Sequence, residues 1–195
     1  MVRVGEEATS AALGRALAEH REAVDGVASM AGEIGRAADV IAECLAGGGQ
    51  LLICGNGGSA ADAQHVAAEF VGRYLKEREP WPALALPVNT SAVTAVGNDY
   101  GFEEVFARQV AGHGRPGDVL LAISTSGRSP NVLRAAEEAR TRRMVVIGLS
   151  GGDGGELGPL CDIALVVPSR STPRIQEAHI LIAHVICGLV EDALS

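Results

Sequence analysis

Five short apolar runs, at positions 51–54, 83–88, 119–123, 144–149 and 163–167, alternate with stretches of helical pattern at 59–74, 102–110, 130–142 and 172–194. Uninterrupted apolar strands separated by helices imply a parallel sheet covered on both faces, because only a strand buried on both sides has no polar alternation. Five strands in the last two thirds of the chain fit an α/β fold, a flavodoxin-like doubly wound sheet. Ligands of such sheets sit beyond the carboxyl ends of the strands. The loops after Cys54, Val88, Ile123 and Val167 are therefore the places to look for chemistry. Ahead of the sheet, apolar residues recur at helical spacing (Leu13, Ala16, Leu17; Ile34, Ala38, Ile41, Leu45) up to Gly47-Gly48-Gly49. That spacing predicts two helices paired as a hairpin, residues 1–48, before a domain at 49–195.

The chain has 195 residues, enough for one domain with a sizeable core. It holds 25 Gly but only six aromatic residues, a composition suited to close packing and tight turns. A net charge of −8 gives no basic footprint for nucleic acid, so any anion must be held by local devices. The longest apolar stretch, 178–190, is interrupted by His179 and His184 and is too short to cross a membrane. Residues 1–7 show no apolar core of a signal peptide. Cys44, Cys54, Cys161 and Cys187 are scattered, which reads as buried thiols in a reducing cytoplasm.

Two loops have the chemistry of anion sites. Gly55-Asn56-Gly57-Gly58-Ser59-Ala60 leads from the first strand into a helix, exposing backbone N–H groups. A plain strand-to-helix turn would explain the same glycines. The string also satisfies the loose dinucleotide pattern G-x-G-x-x-A, but the second strand ends in Asn89-Thr90 and lacks the acidic ribose partner. After the third strand comes Ser124-Thr125-Ser126-Gly127-Arg128-Ser129-Pro130-Asn131. Ser129 before Pro130 reads as a helix N-cap, which accounts for one hydroxyl. Four hydroxyl residues in six point further, to a phosphate monoester held without lysine.

In the helix after the first loop, Ala63, Val66, Ala67, Phe70, Val71 and Tyr74 form an apolar stripe, while Asp62, His65, Glu69 and Arg73 share another face. A solvated face is the ordinary meaning of such a row. The alternative is His65 and Glu69 as an i, i+4 pair on one metal ion. In the last helix, Gln176 and His184 stand among apolar neighbours, about 12 Å apart along the axis. A core histidine remains an open reading of His184.

With these residues in view, the segments Cys54–His65, Gly97-Asn98-Asp99-Tyr100-Gly101-Phe102, Ile123–Gly127 and Arg174-Ile175-Gln176-Glu177 closely resemble phosphoheptose isomerases of the sugar isomerase (SIS) family, from about residue 30 onward. The resemblance implies an enzyme that converts sedoheptulose 7-phosphate to D-glycero-D-manno-heptose 7-phosphate through an enediol, the first step of nucleotide-activated heptose biosynthesis. It implies one zinc ion per subunit on His65, Glu69, Gln176 and His184, with Glu69 and His184 as the acid–base pair. Substrate contacts fall on Asn56, Gly57, Gly58, Glu69, Arg73, Asn98, Asp99, Ser124, Thr125, Ser126, Ser129 and Gln176. A homotetramer with sites at subunit interfaces would occupy the N-terminal helices. Pro173 and Arg128 depart from the family pattern: the first removes a carboxylate ahead of Arg174, the second puts a positive charge beside the phosphate loop.

Other readings stay open at this point. One is a non-catalytic SIS protein that binds the replication initiator. Another is a sugar-phosphate sensor, and a third an isomerase of another sugar phosphate. The presence of both Glu69 and His184 favours the enzyme.

Overall fold

The computed structural model describes Arg3 and residues 5–195. The signal-peptide expectation rests partly on Met1, Val2 and Val4, which lie outside the described residues. The apolar runs become β1 (Leu51–Gly55), β2 (Ala83–Ala85), β3 (Val119–Ile123), β4 (Val145–Gly151) and β5 (Ile163–Val167). They form one all-parallel sheet in the order β2-β1-β3-β4-β5. That is the doubly wound arrangement expected from the sequence. Every residue of β1 and of β3 is buried, which is why neither alternates.

Successive side chains on a strand point to opposite faces, and two cores result. Leu51, Ile53, Leu121, Ile123 and Leu149 face α2 (Ala31–Ala46), α3 (Gly58–Val71) and α7 (Thr172–Leu194). Leu52, Cys54, Leu120, Ala122 and Val146 face α5 (Ala107–His113) and α6 (Pro130–Thr141).

Two expectations are corrected, and one helix is added. The N-terminal segment is not a hairpin: α1 (Glu6–Val27) passes through a 3₁₀ turn, Ala28–Met30, into α2. Val27, Ala28 and Ala31 keep right-handed helical angles and Met30 departs from them at φ −98° and ψ 12°, and both helices pack against α7 rather than on each other. The run at 83–88 leaves the sheet at Ala85, where Leu86–Val88 turns into a 3₁₀ segment around Pro87. A helix without a sequence expectation, α4 (Thr90–Tyr100), follows, capped by Asn89, whose side chain accepts from the Ala92 N–H at 3.0 Å. No residue of α4 is buried.

Candidate active site

α3 begins where the glycine loop ends. Gly57 sits at φ +56°, in the left-handed region that glycine alone adopts cheaply. A Cβ on Gly58 would collide with the Gln176 amide, so α7 lays that side chain across the start of α3. The turn reading thus explains Gly57, and the close approach of a site residue explains Gly58. Asn56 and Asn131 exchange two side-chain hydrogen bonds, at 2.8 and 2.9 Å, which lock the glycine loop to the start of α6.

Three side chains converge farther along α3 and α7. The Nε2 atoms of His65 and His184 lie 2.9 Å apart, and His65 Nε2 is 3.3 Å from Glu69 Oε1. One donor atom from each of His65, Glu69 and His184 falls within 4.8 Å of the others. Two imidazoles and a carboxylate converging on one point are the donor set of a divalent transition-metal site, so these residues fit such an ion. Gln176, the fourth expected ligand, has its amide against Gly58. The α3 stripe needs one correction: Ala63, Val66, Ala67 and Phe70 are buried as expected, but Val71 is exposed, because α3 ends there at Gly72. Tyr74 lies beyond the helix and stacks on the His184 ring, with centroids 5.5 Å apart.

His179, which interrupts the same apolar stretch as His184, is the core histidine of α7. It is fully buried, its Nε2 lies 3.0 Å from the Ser150 carbonyl oxygen, and burial pushes its pKa down to about 4. His184 is half-buried in the cluster.

The serine loop lies at the carboxyl end of β3. Ser124 is buried, and its Oγ is 2.9 Å from Ser129 Oγ. Ser129 therefore does not cap α6 through its side chain; it pairs with Ser124 instead, contrary to the expectation. Thr125 and Ser126 line a cleft of about 320 Å³ with Gly151, Ser169, Arg170 and Thr172. Arg128 brings less free charge than expected. Its guanidinium bonds Asp153 at 2.7 Å and the Ser126 carbonyl at 3.1 Å, and this pairing holds the Asp153 carboxyl below its ordinary range. Pro173 lies in the first turn of α7, where its missing N–H costs nothing.

Three expected contacts stand apart. Arg73 is exposed, with Nε 3.7 Å from Glu77. Asn98 donates to Asp99 at 2.8 Å on exposed α4. Among the described residues no hydrogen bond ties any of the three to the other site residues.

Sequence reasoning missed Arg78 and Glu191, which are nearly fully buried as an ion pair behind the cluster. A carboxylate seven residues after His184 on an apolar helix was the available signal. Burial alone pushes the Glu191 carboxyl up. Three backbone N–H groups and Arg78 outweigh it, and the group sits below its ordinary value.

A parallel β2-β1-β3-β4-β5 sheet with a hydroxyl-rich loop at its carboxyl edge defines a doubly wound α/β protein whose ligand is expected beyond the carboxyl ends of its strands. Residues 17–151 match the family model described as SIS domain. A phosphoheptose isomerase of Rhodospirillum rubrum is 60% identical over 161 residues, 83% of this chain and 86% of that protein. One of Bradyrhizobium sp. (strain BTAi1) is 53% identical over 194 residues, 100% of this chain and 98% of that one. The solved phosphoheptose isomerase of Neisseria gonorrhoeae superposes with a TM-score of 0.90 at 44% identity, covering 94% of this chain and 99% of that one. The chain belongs to the SIS domain family and, within it, to the phosphoheptose isomerases.

Proposed function

We propose that this protein isomerises sedoheptulose 7-phosphate to D-glycero-D-manno-heptose 7-phosphate, opening the route to nucleotide-activated heptose. The convergence of His65, Glu69 and His184 carries the reading, because ketose–aldose exchange needs a base and an acid at adjacent carbons. A non-catalytic initiator-binding protein needs neither group and is not favoured.

In the proposed mechanism Ser124, Thr125, Ser126 and Ser129 hold the phosphate, and this remote grip orients the reacting end of the chain. Asn56, Gly57, Gly58 and Gln176 border the sugar. Glu69 removes the proton from C1, leaving an enediol, and returns it to C2. His184 gives a proton to the C2 carbonyl oxygen and accepts one from the C1 hydroxyl. His65, Glu69, His184 and Gln176 would hold one zinc ion per subunit, which supplies Lewis-acid polarisation of the carbonyl when bound.

The reading extends to a homotetramer in a reducing cytoplasm, with no nucleic-acid partner. Support for self-association comes from exposed Leu13 and Leu17 on α1, from exposed Leu181, Val185 and Leu189 on α7, and from the unburied α4. A second copy would bring Arg73, Asn98 and Asp99 to the sugar. The four cysteines are free, and burial pushes the thiols of Cys54 and Cys187 up to about 12, as suits inert core residues. Among the described residues no helix is long and apolar enough to cross a membrane.

The test is proton NMR of sedoheptulose 7-phosphate incubated with zinc-loaded protein. Anomeric aldose signals are expected with the wild type and not with His184→Ala. An unchanged spectrum from wild-type protein that still binds the sugar phosphate rejects the enzyme reading.

A further inference from the structure

The chain after α3 is fastened by one buried ion pair whose bonds reach both halves of the cluster. Arg78 fans its guanidinium over the end of α3: Nη2 donates to the Glu69 carbonyl at 2.7 Å, and Nη1 to the Phe70 carbonyl at 2.9 Å. A cation over these open carbonyls is where the helix dipole favours one. Trp81 covers the guanidinium from one side, its ring centre 3.5 Å from Cζ. Glu191 on α7 completes the arrangement. Its carboxylate accepts from Arg78 Nε at 3.2 Å and from the backbone N–H groups of Tyr74, Leu75 and Lys76 at 3.1, 2.8 and 2.8 Å.

Two consequences converge on His184. Seven residues are almost two helical turns, so Glu191 and His184 share a face of α7, about 10 Å apart. Glu191 therefore holds the end of α3 in register with the face of α7 that carries His184, while Arg78 grips the carbonyl of Glu69 itself. The bonded N–H of Tyr74 fixes the residue whose ring lies on the His184 imidazole.

We propose that Arg78 and Glu191 are positioning residues of the isomerase site: a buried clamp that sets the separation of Glu69 from His184 and keeps Tyr74 stacked on the His184 ring. The clamp touches no substrate and acts through Glu69, Tyr74 and His184. The catalytic consequence rests on the isomerase reading above; the geometric one does not.

The test reads both. In the substrate-free protein the Tyr74 ring displaces the His184 ring-proton resonances, which NMR assigns by comparison with His184→Ala. Glu191→Gln and Arg78→Lys are each expected to unfold cooperatively above the assay temperature. In both variants the His184 resonances move toward those of an unstacked histidine. In both, kcat falls about tenfold while KM stays within twofold, as expected for misplaced reacting groups with the phosphate grip intact. Arg142→Ala, which removes an ion pair with Glu138 at the carboxyl-terminal cap of α6, leaves resonances and rate unaltered. Unmoved His184 resonances in either folded variant overturn the clamp, as does a rate loss that only matches the fraction unfolded. Should Glu191→Gln not fold, because it leaves a buried guanidinium unpaired, Arg78→Lys keeps the charge and decides. If the wild type itself turns over no sugar phosphate, the isomerase reading falls and the resonances alone judge the clamp.

Discussion

His179 and His184 occupy the same helix, and their surroundings give them different tasks. His179 is buried against a carbonyl and stays neutral, with its pKa near 4 against an ordinary 6.5. The unfolded chain therefore binds a proton at this residue at a higher pH than the folded one does. Its contribution to stability is complete above pH 6.5 and drains away as pH falls toward 4. By this account His179→Gln flattens the acid side of a plot of unfolding free energy against pH by up to about 3 kcal/mol, measured by urea unfolding between pH 7 and pH 4. An equally steep acid limb in the variant would assign that limb to other groups. His184 lacks such enclosure and faces His65 and Glu69. If Glu69 is the base, as proposed, replacement by Gln keeps the shape but removes the proton acceptor, and a loss of at least a hundredfold in kcat is expected from NMR progress curves. Near wild-type turnover would remove Glu69 from its role.

At the scale of elements, the start of α3 and the first turns of α7 touch at a point with no room for a methyl group. Gly58→Ala drives the Gln176 amide away, and because only the mobile end of that side chain must shift, the fold is expected to survive. The melting temperature should move by no more than a few degrees while kcat/KM falls at least tenfold. A large loss of thermal stability would instead make the contact structural. The buried strands were legible because a strand covered on both faces is apolar throughout, as at Val119–Ile123. The serine loop and the His65–Glu69 pair were legible because each lies within one short segment. Other features depend on contacts that no local pattern records. Helix α4 carries Val93, Thr94, Val96 and Gly97, all weak helix formers, so its periodicity is faint. The α1–α2 junction lacks a turn signal at Ala28-Ser29-Met30, yet two apolar stripes suggested two paired helices. Ser129 has the sequence context of a cap, because Ser124 becomes its partner only in the folded loop, and Tyr74 continues the spacing of the α3 stripe although α3 ends before reaching it and Tyr74 packs on the core from outside the helix.

At the scale of the whole molecule, apolar surface remains uncovered along Leu181, Val185 and Leu189, one turn apart on α7, and along Leu13 and Leu17 on α1. If copies of the chain meet through these faces, charge placed there separates them. Leu181→Glu with Val185→Glu is expected to convert the assembly to smaller species in sedimentation velocity and to depress turnover more than tenfold, because Arg73, Asn98 and Asp99 then lack a neighbouring sugar site. A monomeric wild type would remove both the tetramer and this route to a completed site. The division of the sheet into two separate cores has a further consequence. Helix α6, which starts at the serine loop, packs into one core, whereas α3 and α7, which carry His65, Glu69 and His184, pack into the other. If the serine loop holds the phosphate and the cluster moves the protons, as proposed, drift in the residues beneath α6 alters the grip on the substrate's tail, and drift beneath α3 and α7 alters the chemistry at its head. On that reading a lineage built on this sheet can change the length of sugar it accepts without disturbing its proton-transfer groups, and can lose those groups while still holding a phosphate.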